Sequence, residues 1–147
     1  MRIYLDNCSY NRPYDDQSNI QVQLESQAKL FIQAGIKEGK YDLVSSYTLQ
    51  YEVSRNPVVM RRDSITDFIE QNAKYFVDYD RESEISAIAS DIIETGVKEK
   101  DAFHVASAIY SDCDYFISTD KRLLKYHTDR IKLVTPVEFV SETEGNE

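Results

Sequence analysis

The chain has 147 residues, which suits one domain with a buried core and leaves too little for two. It carries 26 acidic and 17 basic residues, and a net charge of −9 argues against binding nucleic acid through a broad basic surface. An enzyme that meets phosphates through bound divalent cations is not excluded, because such cations reverse the local field. We find no secretion signal and no apolar stretch near the roughly 20 residues of a membrane helix. We therefore expect a cytoplasmic protein without a membrane segment.

Short apolar runs alternate with stretches of helical periodicity along the first half of the chain. Turn residues separate them, and acids follow two of the apolar runs. In chain order the predicted elements are a strand at 2–6, a polar loop from Asn7 to Asp16, a helix from Leu24 ending at Gly39, a strand at 42–46, a helix containing Glu52 that ends before Pro57, and a helix at 65–73. Asp15, Asp16 or Ser18 is expected to cap the first of these helices.

The second half continues the alternation, and no two strands are joined by a hairpin turn. The predicted elements are a strand at 75–79, a helix at 85–93 ended by Gly96, a helix with Asp101 in its first turn, a strand at 115–118, a short basic helix after Asp120, a strand at 131–134, a capping-box helix from Thr135, and a polar, frayed tail at 141–147. This order predicts a three-layer α/β/α sandwich with a mostly parallel sheet of about five strands, in one domain covering residues 1–147.

Acids stand where the predicted strands end. Asp6 and Asp120 each follow an apolar run, Glu52 follows the second strand, and Asp101 lies in the first turn of a helix. Because function collects at the carboxyl ends of parallel strands, these acids are candidates for one site. Four clustered carboxylates repel one another unless cations lie between them, and ligation by oxygen alone suits Mg²⁺ or Mn²⁺ rather than zinc. With so many acids, chance placement and helix capping are the alternatives.

The two cysteines, Cys8 and Cys113, lie far apart and form no CxxC motif. The sequence therefore predicts neither a disulfide nor a zinc site. Although Cys8 is close to Asp6, we predict that it is a small buried side chain, because free cysteine is among the most buried residue types.

Four segments resemble the motifs of the PIN-domain family. The stretch LDNCSYNRP at 5–13 is similar to the opening motif of one branch of that family, and Ser46 followed by Glu52 resembles its second motif. KDAFHVASA at 100–108 resembles the third and FISTDKRLL at 116–124 the fourth. The order and spacing of all four agree with the family from the first predicted strand to the last.

The resemblance implies that Asp6, Glu52, Asp101 and Asp120 are the catalytic acids and the ligands of Mg²⁺ or Mn²⁺. It also points to residues that would support these carboxylates or hold RNA phosphates. The supporting candidates are Asn7, Ser46, Thr119 and His104, and the phosphate candidates are Arg12, Lys121 and Arg122. Each of these residues also has an alternative role. Ser46 and Thr119 could cap strand ends, His104 could simply pack, and the cations could be solvated surface residues. Many relatives carry a further acid where this chain has Leu123 and Leu124, which argues against a second tightly held metal ion.

By this resemblance the protein is expected to hydrolyse phosphodiester bonds in single-stranded RNA, as the toxin of a VapC-type toxin–antitoxin pair. Its expected partners are RNA, a small antitoxin and a second copy of the chain. The main alternative is a non-catalytic PIN module that binds RNA or protein. A phosphate-accepting receiver would need paired acids near the first strand and a lysine after the last, where Thr135 and Pro136 stand. A DxD phosphatase would need another acid just after Asp6, where Cys8 and Ser9 follow.

Overall fold

The computed structural model describes residues 1–145. Five parallel strands form one sheet in the order β3-β2-β1-β4-β5. The strands are β1 (Arg2–Leu5), β2 (Asp42–Ser46), β3 (Ala73–Val77), β4 (Tyr115–Ile117) and β5 (Lys132–Val134). The predicted α/β class and parallel sheet are confirmed.

Seven α-helices connect or follow these strands within residues 1–145. They are α1 (Asn7–Asn11), α2 (Ile20–Lys37), α3 (Tyr47–Ser54), α4 (Val59–Asn72), α5 (Glu82–Glu94), α6 (Glu99–Tyr110) and α7 (Pro136–Glu144). Helix α2 packs with α7 and α5 packs with α6, so helices cover the two faces of the sheet. None of the helices in this part of the chain is both long and apolar enough to cross a membrane.

Strand β1 lies in the centre of the sheet. Ile3, Tyr4 and Leu5 have no exposed surface, as expected for a strand covered on both faces. Ile3 pairs with Leu43 of β2 on one side and with Tyr115 of β4 on the other. The first strand is therefore adjacent to β4, the strand that precedes Asp120. This arrangement creates a crevice at the carboxyl ends of the strands.

The segment predicted as a polar loop is largely helical. Asp6 caps α1, which leads into a 3₁₀ turn at Arg12–Tyr14. The cap of α2 is Asn19, whose side chain accepts from the backbone of Gln21 and Val22, and not one of the acids or Ser18 upstream. Asparagine and aspartate cap helices about equally well, so composition did not distinguish these positions.

Three further predictions need correction. Strand β3 is Ala73–Val77, two residues earlier than predicted, and the short basic helix after Asp120 is a 3₁₀ turn at Leu123–Lys125. The segment from Ser141 to Glu144 is the end of α7 rather than a frayed tail. Glu142 accepts hydrogen bonds there from the Tyr115 hydroxyl and the Lys132 ammonium, which tie the helix to the sheet. Residues 146–147 lie outside the described part.

Helix α2 turns a different face to the core than its apolar residues suggest. Leu24 and Phe31 are exposed, whereas Glu25 and Lys29 are buried. The Lys29 ammonium donates to Gln33 Oε1 at 2.7 Å and lies 5.4 Å from the centre of the Tyr10 ring. Burial, helped by the charge of Lys37, lowers the pKa of Lys29 from 10.5 to about 8. Burying this cation therefore costs stability.

Lys29→Met is expected to raise the free energy of unfolding at pH 7, by at most about 3 kcal/mol. The unfolded chain binds more protons than the folded chain between pH 8 and 10.5, so wild-type stability rises with pH in this window and the variant loses that rise. Urea unfolding at pH 7 and pH 10 measures both effects, with exposed Lys121→Met as the control. A variant less stable than wild type at pH 7 would show that the contacts with Gln33 and Tyr10 outweigh the cost of burial.

Candidate active site

Asp6 stands where β1 ends and α1 begins. Its side chain is only 4% exposed, and Oδ1 accepts a hydrogen bond from the backbone N–H of Ser9 at 3.0 Å. Burial raises the pKa of Asp6 to about 6, although hydrogen bonds from Ser118 and Ser9 favour the ionised form. Perturbed carboxyl groups of this kind are concentrated at functional sites.

Asp120 lies beside Asp6 because their strands are neighbours: Leu5, the last residue of β1, pairs with Ile117, the last residue of β4. The backbone N–H of Asp120 donates to Ser118 Oγ at 3.0 Å. Its carboxylate Oδ1 accepts from the N–H of Arg122 at 2.9 Å. This carboxylate is thus held at the start of the turn that follows β4.

Helix α6 brings Asp101 to the same region. Burial and then the negative charge of Asp120 raise the pKa of Asp101, and Glu52 adds to the effect. The thiol of Cys8 responds to all four acids: after burial, the charges of Asp6, Asp120, Glu52 and Asp101 each help raise its pKa to about 12. Charge interactions fade over a Debye length of about 10 Å. The four acids, although far apart in sequence, therefore all lie in the neighbourhood of Cys8.

Cys8 is exposed at the surface, so the prediction of a buried side chain is wrong. Its thiol nevertheless has enough protein around it for burial to raise its pKa. A thiol held protonated in this way is a poor nucleophile and a poor metal ligand. Cys8 therefore lies near the acids, and we expect its thiol neither to react nor to bind a metal ion.

A chain of hydrogen bonds connects Glu52 to buried residues of the sheet and of α6. Glu52 Oε1 lies 2.7 Å from His104 Nε2, and Oε2 lies 3.4 Å from the Lys100 ammonium. His104 Nδ1 is 2.7 Å from the Tyr4 hydroxyl, which is 2.7 Å from Ser46 Oγ. Burial alone would raise the pKa of Glu52, but the hydrogen bond and charge of His104, together with Lys100, hold it below its usual value.

Glu52 assigns the direction of the hydrogen bond that it shares with His104. Ionised Glu52 only accepts, so Nε2 carries the proton and donates to it. Nδ1 shares a hydrogen bond with the Tyr4 hydroxyl, which shares another with the Ser46 hydroxyl. Ser46 Oγ also accepts from the Leu49 N–H at 3.2 Å, which caps α3. From the sequence, His104 could either orient an acid or simply pack in the core. In the structure it contacts and orients Glu52.

The residues next to the acids differ from those expected. Asn7 Oδ1 accepts from the Asn11 amide at 2.9 Å, and no hydrogen bond from Thr119 to a carboxylate occurs within residues 1–145. Ser9 and Ser118 contact Asp6 instead. Ser9 follows its acid by three residues, the spacing of a helix cap, and this signal was available in the sequence.

The cationic candidates divide into two kinds. The guanidinium of Arg12 lies 2.7 Å from buried Glu25 and 3.1 Å from Asp15, so it serves the fold around α2. Lys121 and Arg122 are exposed, and their side chains make no ion pair within the described residues. Their contact with RNA phosphates stays a prediction.

Two open pockets flank the N-terminal end of α6. One, of about 890 Å³, is an aromatic groove that includes Glu52; it is lined by Tyr47, Thr48, Tyr51, Glu52, Arg55, Tyr79, Glu82, Glu99, Lys100 and Phe103. The other, of about 340 Å³, is a basic pocket that includes Asp101; it is lined by Thr95, Gly96, Val97, Lys98, Asp101, Arg122, Leu123, Lys125, Tyr126 and His127. Of the four candidate acids, Glu52 thus lines the aromatic groove and Asp101 lines the basic pocket.

The donor set fits a hard divalent cation in its chemistry. The four acids offer only oxygen, and the repulsion among Asp101, Asp120 and Glu52 is the kind that a cation relieves. Within residues 1–145, however, no three His, Cys, Asp or Glu side chains are already grouped to hold a metal ion. Binding would therefore draw the carboxylates together, and the ligand set of Asp6, Glu52, Asp101 and Asp120 stays a prediction.

Comparison with known proteins supports the fold and leaves the family open. No profile of a protein family matches the sequence, and no curated protein matches it. Among solved structures, the chain resembles the crystal structure of VapBC2 from Rickettsia felis bound to a DNA fragment from their promoter. The TM-score is 0.55 at 13% sequence identity, over 90% of this chain and 97% of that one. At this identity the likeness concerns the fold alone.

Proposed function

We propose that this protein is a metal-dependent endoribonuclease that hydrolyses phosphodiester bonds in single-stranded RNA. The observation that supports this best is geometric: Asp6 and Asp120 follow neighbouring strands, and Glu52 contacts His104, which lies one helical turn from Asp101 on α6. An acidic cluster at the carboxyl edge of a parallel sheet is where such chemistry is expected. The structural likeness to a VapBC2 complex adds independent support.

The proposed cofactor is Mg²⁺ or Mn²⁺, held by Asp6, Asp101 and Asp120 with Glu52 completing or supporting the set. When bound, such an ion acidifies a water molecule and offsets negative charge at the phosphodiester. The protein's own contribution is positional. Ser9 and Ser118 fix the Asp6 carboxylate, and His104 fixes Glu52 in its ionised form.

The proposal extends to the biological setting. In the VapBC2 structure the neighbour is a toxin–antitoxin complex, and by analogy we propose a small antitoxin as partner, a homodimer as the assembly and the cytoplasm as the location. The rival function is a PIN-like module that binds RNA or protein without cutting. The ionised, supported Glu52 favours catalysis, because a module without chemistry has no need to hold a carboxylate so closely.

Purified protein is expected to cleave single-stranded RNA in Mn²⁺ or Mg²⁺ and to stop cleaving in excess EDTA. A gel assay with end-labelled RNA, run beside duplex RNA of the same sequence, measures both the metal dependence and the preference for single strands. Growth arrest on expression, relieved by the product of an adjacent small reading frame, would support the toxin role. Cleavage that persists in EDTA would contradict the proposed mechanism, and RNA binding without cleavage would favour the non-catalytic module.

A further inference from the structure

The basic pocket defined above is assembled from three separate segments. Lys98 comes from the link between α5 and α6, Asp101 comes from the first turn of α6, and Arg122, Lys125 and His127 come from the turn after β4. Asp101 is also one of the candidate metal ligands. The pocket therefore continues directly from the candidate active site.

The charge of this pocket is opposite to that of the whole protein. Lys98, Arg122 and Lys125 surround one acid, Asp101, in a chain whose net charge is −9. The side chains of Arg122 and Lys125 form no ion pair within residues 1–145. Cations left without a counter-charge in one concave place create a local positive potential that attracts an anion.

The shape and chemistry of the pocket favour a nucleotide-sized group. Its volume of about 340 Å³ is near the lower end of the roughly 300–1,000 Å³ typical of small-ligand pockets, so it accommodates more than a bare ion. Arginine presents a planar fork that suits phosphate oxygens, and lysine adds a point charge. Tyr126, which is partly buried and packs against the core, forms one wall.

We propose that this pocket binds the nucleotide next to the scissile bond, with Arg122 and Lys125 holding its phosphodiester phosphate. The inference rests on the proposed function and adds a direction to it: the RNA strand leaves the acids past Asp101, between α6 and the turn after β4. The contacts are made to the backbone phosphate, so they contribute affinity and placement without reading the base.

The test compares the Arg122→Ala/Lys125→Ala double variant with a Lys37→Ala/Arg62→Ala control. The control removes the same charge from exposed Lys37 on α2 and partly exposed Arg62 on α4, away from the basic pocket and the aromatic groove. Binding of a 2′-O-methyl oligonucleotide, a probe that resists cleavage, is measured from 50 to 300 mM NaCl. For the pocket variant, the slope of log affinity against log salt is expected to fall by about 0.7, the loss of one phosphate contact. The control should keep the wild-type slope.

Replacing single linkages by neutral methylphosphonate locates the contact. In wild-type protein one linkage adjacent to the mapped cleavage position should weaken binding, and in the pocket variant that same replacement should have no further effect. Equal slopes for pocket variant and wild type would overturn the inference even if RNA is cleaved. Pocket-dependent binding without any cleavage would overturn the proposed catalysis and leave the phosphate site standing. If wild-type protein does not bind the oligonucleotide, both fall.

Discussion

Asp6→Asn is expected to abolish metal-dependent RNA cleavage while leaving the fold intact. The loss should be about 100- to 1,000-fold, the scale seen when a group that stabilises transition-state charge is removed. The asparagine amide oxygen can still accept from the Ser9 N–H, so the cap of α1 is preserved. End-labelled RNA in Mn²⁺ measures the activity, and Asp91→Asn, an equal charge change on the exposed face of α5, serves as the control.

The same substitution should leave the melting temperature unchanged or slightly raised in EDTA at pH 7. Burial raises the pKa of Asp6 to about 6, so the stability linked to this group is present below pH 3.8 and is lost as the pH rises through 6. The variant should therefore melt at a higher temperature than wild type at pH 7, and this difference should disappear near pH 4. A wild-type level of cleavage by Asp6→Asn would place the chemistry elsewhere. A folded variant much less stable than wild type at pH 7 would show that the ionised, buried Asp6 carboxylate does not destabilise the protein.

His104→Ala is the second substitution with a large expected effect. It removes the donor that holds Glu52 and leaves the Tyr4 hydroxyl without its partner on that side. Cleavage should fall about 10–100-fold, the range found when residues behind metal ligands are lost. Stability should fall by about 1–3 kcal/mol, the cost of an unpaired buried polar group. Cleavage rates across a Mn²⁺ titration and urea unfolding measure the two effects separately.

Two further variants distinguish positioning from general destabilisation. Tyr4→Phe removes one hydroxyl from the hydrogen-bond chain and keeps the ring stacked on Phe116. We expect it to require more Mn²⁺ for half-maximal cleavage and to lose about 1–3 kcal/mol of stability, because Nδ1 of buried His104 is left without its partner. His104→Gln, which can present an N–H to Glu52, should recover part of the activity that alanine loses. Equal activity of the alanine and glutamine variants would show that His104 acts through packing alone.

The strand order and the position of the acids were predictable because both follow from local rules. Asp6 and Asp120 each follow an apolar run of strand length, and no hairpin turn joins the strands. This pattern places both acids at the carboxyl ends of parallel strands. The hydrogen-bond chain was not predictable, since it joins Tyr4 to Ser46 across 42 positions and to His104 across 100. In the sequence Tyr4 reads as one more buried strand residue.

Other errors arose where tertiary packing overrode local pattern. The apolar Leu24 and Phe31 predicted the wrong face of α2, because the core accepts Glu25 through its ion pair with Arg12 and Lys29 through Gln33. Helical periodicity cannot anticipate such a reversal, since it depends on partners elsewhere in the chain. Cys8 was predicted buried from residue type alone, and its place beside the acids exposes it.

The parallel sheet has a consequence for how the protein is made on the ribosome. Strand β1 needs β4, more than 100 residues later in the chain, as its neighbour, and Asp101 and Asp120 are likewise made long after Asp6. A nascent chain lacking β4 cannot assemble the acidic site, whatever helices it has already formed. Under the proposed function, the order of synthesis therefore keeps the chain inert until β4 and Asp120 have been made.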